Sequence, residues 1–133
     1  MASAMEDFYR ASVEEQIRRL KTLAVEALKH WNIGGCEPEL LKYRENAVFK
    51  VRTPNGQPAA LRVHRHSYHS DAALRSELAW MSALKADGIE TPGVVPTRKG
   101  EAFAIVTAQG VPEPRQVDMM EWQIGRASCR ERV

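Results

Sequence analysis

From Met5 to Trp31 the apolar residues Phe8, Val13, Ile17, Leu20, Ala24, Ala27, Leu28 and Trp31 return mostly every three or four positions, with Glu, Arg and Lys between them. That period predicts an amphipathic helix packed on the rest of the fold. Ser12 followed by Glu15 has capping-box spacing, so the helix is expected to restart there, and Asn32 with Gly34 and Gly35 supplies its stop. Beyond Gly35 the period changes to two. Residues 40–43, 47–52 and 59–64 alternate as half-buried strands do, and Pro54-Asn55-Gly56 is turn chemistry that joins the second and third as an antiparallel hairpin.

Ser70-Asp71 offers an N-cap to a second helix, lined on one face by Leu74, Leu78, Met81 and Leu84 and ending at Asp87-Gly88. Residues 93–97 and 102–106 are expected as strands around a turn at 98–101, and residues 115–122 as a last strand after a loop at 110–114. This order predicts an α+β fold: a mostly antiparallel five- to six-stranded sheet with an N-terminal helix and one helix after the third strand.

The composition, 44% hydrophobic and 27% charged, is that of an ordinary globular chain, and no apolar run is long enough to cross a bilayer. With no secretion signal at the N-terminus, a cytoplasmic location is expected and a membrane partner is not. The segment 124–133, Ile-Gly-Arg-Ala-Ser-Cys-Arg-Glu-Arg-Val, has neither helical nor strand period and closely resembles the translation of a common sequencing adapter. It is expected to be non-native, with the natural sequence stopping near Gln123; the alternative is a genuine basic tail. Without its three Arg and one Glu, 16 basic residues balance 16 acidic ones and the net charge of +2 disappears. Nothing then favours nucleic acid as a partner. Cys36 is the one cysteine left, which excludes a disulfide framework and a thiolate metal site.

Candidate chemistry begins with Glu77. It lies three residues after Leu74 and four before Met81, on the apolar face of its helix, where a carboxylate needs a partner. Arg62 is the candidate, since it alternates with Leu61 and Val63 and shares a face with Ala60. A cation on a third strand paired to a glutamate on the following helix is how kinases hold a cation against nucleotide phosphates; ordinary structural ion pairs share the pattern. Ala60 would leave room for an adenine ring and Val48 would cover it from the neighbouring strand.

Four segments in order carry a resemblance: Arg44-Glu45-Asn46-Ala47-Val48-Phe49-Lys50-Val51, then Ala60-Leu61-Arg62-Val63-His64-Arg65, then Arg75-Ser76-Glu77-Leu78-Ala79-Trp80-Met81, then Asp87-Gly88-Ile89-Glu90-Thr91-Pro92. Together they resemble the small-lobe motifs of the aminoglycoside phosphotransferase, choline kinase and type II homoserine kinase superfamily, over about residues 24–122. The resemblance implies a protein-kinase-like small lobe at 36–123 behind a helical extension at 1–35. It also implies an enzyme that uses ATP and Mg2+ to phosphorylate a hydroxyl of a small molecule such as an aminoglycoside, homoserine or a choline-like acceptor. It places a phosphate-covering loop at 44–47 with Asn46 at the turn, the phosphate cation at Arg62, where lysine is usual, and the interlobe hinge at Met120, Glu121 and Trp122. The loop departs from the protein-kinase pattern in having no glycine.

In that superfamily the catalytic Asp and the magnesium ligands lie in a large lobe after the hinge, and nothing of this kind follows Trp122 in the sequence. No catalytic or metal-binding residue is therefore assigned here, Asp118 included, and the chain reads as a lobe cut off before the catalytic loop. Two other readings stay open: a bacterial stress-response-type protein Ser/Thr kinase, and a non-catalytic nucleotide-binding module. His64, His66 and His69 are expected in a solvated strand-to-helix loop rather than around a metal, and Trp31, Trp80 and Trp122 as core or interlobe anchors.

Overall fold

The computed structural model describes residues 4–122, so the segment 124–133 and the boundary at Gln123 lie outside the described residues. The amphipathic N-terminal stretch forms two helices, α1 (Ala4–Arg10) and α2 (Val13–Leu28), continued by a 3-10 turn (Lys29–Trp31). The break falls at Ser12, whose hydroxyl oxygen accepts from the Glu15 backbone N–H at 3.1 Å. That bond satisfies a donor that the first turn of a helix otherwise leaves orphaned. Asn32 closes the 3-10 turn at a φ of 57°, a conformation asparagine tolerates. Leu20, Leu23, Ala24, Ala27, Leu28 and Trp31 are buried, whereas Val13, on the same predicted stripe, is exposed because full burial of α2 begins only at Leu20.

Five strands follow, β1 (Glu39–Tyr43), β2 (Ala47–Arg52), β3 (Pro58–Val63), β4 (Ala104–Ala108) and β5 (Val111–Glu121). They form one antiparallel sheet in the order β1-β2-β3-β5-β4. The β2–β3 turn closes with Gly56 at a φ of 85° and its N–H donating to the Thr53 carbonyl at 2.8 Å. Two sequence expectations are corrected. Residues 93–97 are not a strand: Val94 makes an isolated bridge to Met120 and the Val95 N–H donates to Met119 O, with Gly93 and Pro96 on either side limiting further pairing. Residues 110–114 are not a loop, because β5 already runs from Val111. Its Pro112 and Pro114 precede Val117, where pairing with β3 begins, so their missing N–H groups fall where that edge of β5 has no partner strand.

The period of two gives the sheet two different faces. Ala47, Phe49, Val51, Ala59, Leu61, Val63, Val117 and Met119 point to one of them and form the main core with α1 and α2. Val48, Ala60, Arg62, Asp118 and Met120 share the other. There α3 (Asp71–Ala86), capped by Ser70, buries only Leu74 and Leu78, in a smaller cluster with Phe103 and Met120. On the helical side, Arg115 and Glu113 form a buried ion pair at 3.3 Å, and the Tyr9 hydroxyl donates to Glu113 at 3.1 Å, tying α1 to β5. Among the described residues no helix is long and apolar enough to cross a membrane.

Candidate nucleotide site

Register decides what Arg62 meets. It sits opposite Val48 on β2 and opposite Asp118 on β5, so the guanidinium and the carboxylate emerge side by side from adjacent strands on the same face. Arg62 Nε donates to Asp118 Oδ1 at 2.7 Å and Nη2 to Asp118 Oδ2 at 2.9 Å. His64, two residues along β3's line on the same face, places Nε2 2.7 Å from Asp118 Oδ2. With the carboxylate ionised, that nitrogen is the donor, so Asp118 accepts three hydrogen bonds.

Asp118 and His64 have no exposed side-chain surface, and Arg62 keeps 21% of its own. Burial by itself would push the Asp118 carboxyl up, but hydrogen bonds from His64 and Arg62 and the charges behind them more than offset it and hold the group below its ordinary range. For Arg62, burial acts to lower the pKa, while the hydrogen bond and charge of Asp118, helped by Glu77, raise it. The pair is ionised at neutral pH.

Glu77 comes to the same place from α3, but more loosely. Its Oε2 is 3.5 Å from Arg62 Nη2, its Oε1 is 3.4 Å from His69 Nε2, and its side chain is 30% exposed. The sequence-predicted pair is thus brought together, while the close partner of Arg62 is Asp118. Sequence reasoning missed that residue as a partner. Part of the signal was present: a carboxylate directly between Val117 and Met119 in an apolar stretch of strand needs a cation.

Asn46 lies half-buried at the turn between β1 and β2, its carbonyl accepting from the Arg44 N–H at 3.1 Å and its Oδ1 buried without a partner. None of Arg44, Glu45 and Asn46 has a positive φ, which explains why this loop manages without glycine. Val48 and Ala60 are half-buried on the Arg62 face, with Ala60 packed toward Met120 and α3. At the end of β5 the Glu121 N–H donates to Gly93 O at 2.8 Å, and its carboxylate lies 3.3 Å from Lys85. Trp122 receives Lys50 Nζ 5.3 Å from its ring centroid, and Lys50 stands across from Ala60 on β2.

Two further expectations are corrected. His64 is not solvated but wholly buried, stacked on Tyr68 and bonded to Asp118, because β3's alternation turns it toward the carboxylate. His66 and His69 are exposed as expected. Of the two places expected for Trp80, core or interlobe anchor, the core is overturned, since it is 65% exposed and faces away from the Leu74 and Leu78 side of α3, whereas Trp31 is buried and donates from Nε1 to Val95 O. Among the described residues no cluster of three or more His, Cys, Asp or Glu could hold a metal. A cavity of about 690 Å3 lies at the far edge of the lobe, beside Asn32, Cys36, Glu37 and Arg52, and none of the sequence-predicted site residues lines it.

Comparison with known proteins fits this geometry. The sequence profile described as "Phosphotransferase enzyme family" matches residues 39–128, ending inside the segment 124–133. A microcompartment-associated aminopropanol kinase is 36% identical over 76% of this chain and 31% of its own, with a TM-score of 0.66. The amicoumacin kinase hAmiN, solved with AMP-PNP, Ca2+ and Ami, shares the fold at 15% identity over 88% of this chain and 33% of its own, with a TM-score of 0.59. The chain therefore spans about a third of the length of these solved proteins. Curated proteins offer no match.

Proposed function

Because the chain belongs to the phosphotransferase enzyme family, we propose that residues 36–123 are its ATP-binding lobe and that the whole protein moves the ATP γ-phosphate to a hydroxyl of a small molecule. One observation carries the placement of the nucleotide: a permanently charged guanidinium, Arg62, fixed by two short bonds to Asp118 yet still 21% exposed on the face opposite the helical core. A charge so held neutralises phosphate without reorganising when the nucleotide arrives. Val48 and Ala60 lie beside it where an adenine could pack, Asn46 stands at the β1–β2 turn two residues before Val48, and Glu121 and Trp122 at the strand end would be the hinge.

The residues that would complete the chemistry are proposed to lie beyond this lobe. Magnesium, when bound, would neutralise charge between the β- and γ-phosphates. The described residues offer no metal-holding cluster, so no step is assigned to it here. Likeness at 36% identity to an aminopropanol kinase supports a small acceptor bearing a hydroxyl and an amine, over a protein serine or a purely nucleotide-binding role.

The test is phosphate transfer from γ-labelled ATP to a panel of amino alcohols, homoserine, choline and aminoglycosides by the complete gene product. Arg62→Ala is expected to lower kcat/KM on the order of 10²-fold, the scale of one preorganised charge at a phosphoryl group. Activity equal to wild type would show that the phosphates bind elsewhere. Phosphorylation of a protein substrate, with none of the small alcohols accepted, would sink the small-molecule reading.

A further inference from the structure

An arginine standing where this family usually has lysine raises the question of which of its nitrogens faces the nucleotide. Three of the carboxylate's contacts answer it. Nε and Nη2, one side of the guanidinium fork, each donate one hydrogen to Asp118, at 2.7 and 2.9 Å, and Nη2 also lies 3.5 Å from Glu77 Oε2. His64 Nε2, at 2.7 Å from the same carboxylate, braces Asp118 from the other side, and Tyr68 stacks on the His64 ring at 4.8 Å. Nη1 makes no hydrogen bond to a described residue.

We propose that Asp118, braced by His64, is the positioning residue for Arg62: it occupies the Nε–Nη2 side of the guanidinium and turns the outer end, led by Nη1, toward the nucleotide phosphate. An arginine so clamped presents its planar outer edge in one orientation, ready to donate to phosphate oxygens without reorganising. The proposal rests on the nucleotide site proposed above and deepens it. It also assigns Glu77 a lesser part than its place on α3 suggests, since a carboxylate at 3.5 Å and 30% exposed fixes little that a fully buried one at 2.7 Å has not fixed already.

His64 follows the same logic. Its Nδ1 is buried without a partner, an arrangement that costs free energy and brings the ring no other bond than the one to Asp118. The backbone carbonyl of the same residue accepts from Arg115 Nη1 at 3.4 Å, so its main chain is held from the helical side of the sheet while its ring works on the other.

The test is a double-mutant cycle on the complete gene product, read as the Kd for AMP-PNP with Mg2+, with folding checked by circular dichroism. Asp118→Asn is expected to weaken binding about tenfold when Arg62 is present and to have no effect on top of Arg62→Ala, because Asp118 acts only through Arg62. The same loss in both backgrounds, or wild-type affinity in Asp118→Asn, would overturn the positioning role while leaving the nucleotide site in place. Wild-type affinity in Arg62→Ala alone would overturn the site itself, and this role with it. Should Asp118→Asn not fold, Asp118→Glu is put through the same cycle; it keeps the charge but moves it by one methylene, and the same background dependence is expected.

Discussion

Asp118 is a carboxylate with no exposed surface on a central strand, and its environment sets what its loss does. Asp118→Ala leaves Arg62 and His64 without their partner, and is expected to cost about 3–5 kcal/mol in chemical denaturation. Glu77→Ala, at a half-exposed site 3.5 Å from Arg62, should cost under about 1 kcal/mol. Equal costs would mean that the two carboxylates share Arg62 evenly. The sign with pH follows from the depressed pKa. The contribution is fully present above the ordinary Asp value of 3.8 and is lost as pH falls through the lower native value, so stability measured between pH 5 and 2 should fall less steeply in Asp118→Asn. Arg62 and Glu77 were legible as a pair because each breaks an apolar pattern locally. Asp118 and His64 were not, since their meeting depends on β5 lying beside β3, a neighbour relation separated by more than fifty residues of chain.

Of the two long helices, α3 is the more loosely held. Only Leu74 and Leu78 are buried on it, against the unbroken row of buried positions that β3 and β5 give to the main core. Amides of α3 are therefore expected to exchange with deuterium through local opening, well before those of β3 and β5; simultaneous exchange of all three would contradict this. Hydrophobic period located both long helices and the β2–β3 hairpin, because each is specified within its own segment by a cap, a turn or an alternation. It failed at residues 93–97, where Gly93 and Pro96 argue against the expected strand, and at 110–114, where Pro112 and Pro114 argue against the strand that forms. Residues 93–95 make their backbone–backbone bonds to the edge of β5, and Pro112 and Pro114 are tolerated by an edge that meets no strand. Only the sheet order explains either.

At the scale of the whole molecule, the sheet separates two kinds of surface. The face under α1 and α2 is a closed apolar core. The other is covered by α3 at one end and carries the fixed charge of Arg62 beside half-buried Val48 and Ala60. A nucleotide bound there has apolar surface for its base and a cation for its phosphates, while the cavity beside Cys36 at the far edge offers no such combination with the residues that the family resemblance singles out. The most direct measurement is hydrogen exchange by mass spectrometry on the complete gene product with and without AMP-PNP. Protection is predicted in peptides covering residues 44–48, 60–64 and 118–122. No change in these segments, or protection confined to residues 32–37 and 50–54, would contradict the placement of ATP on the Arg62 face.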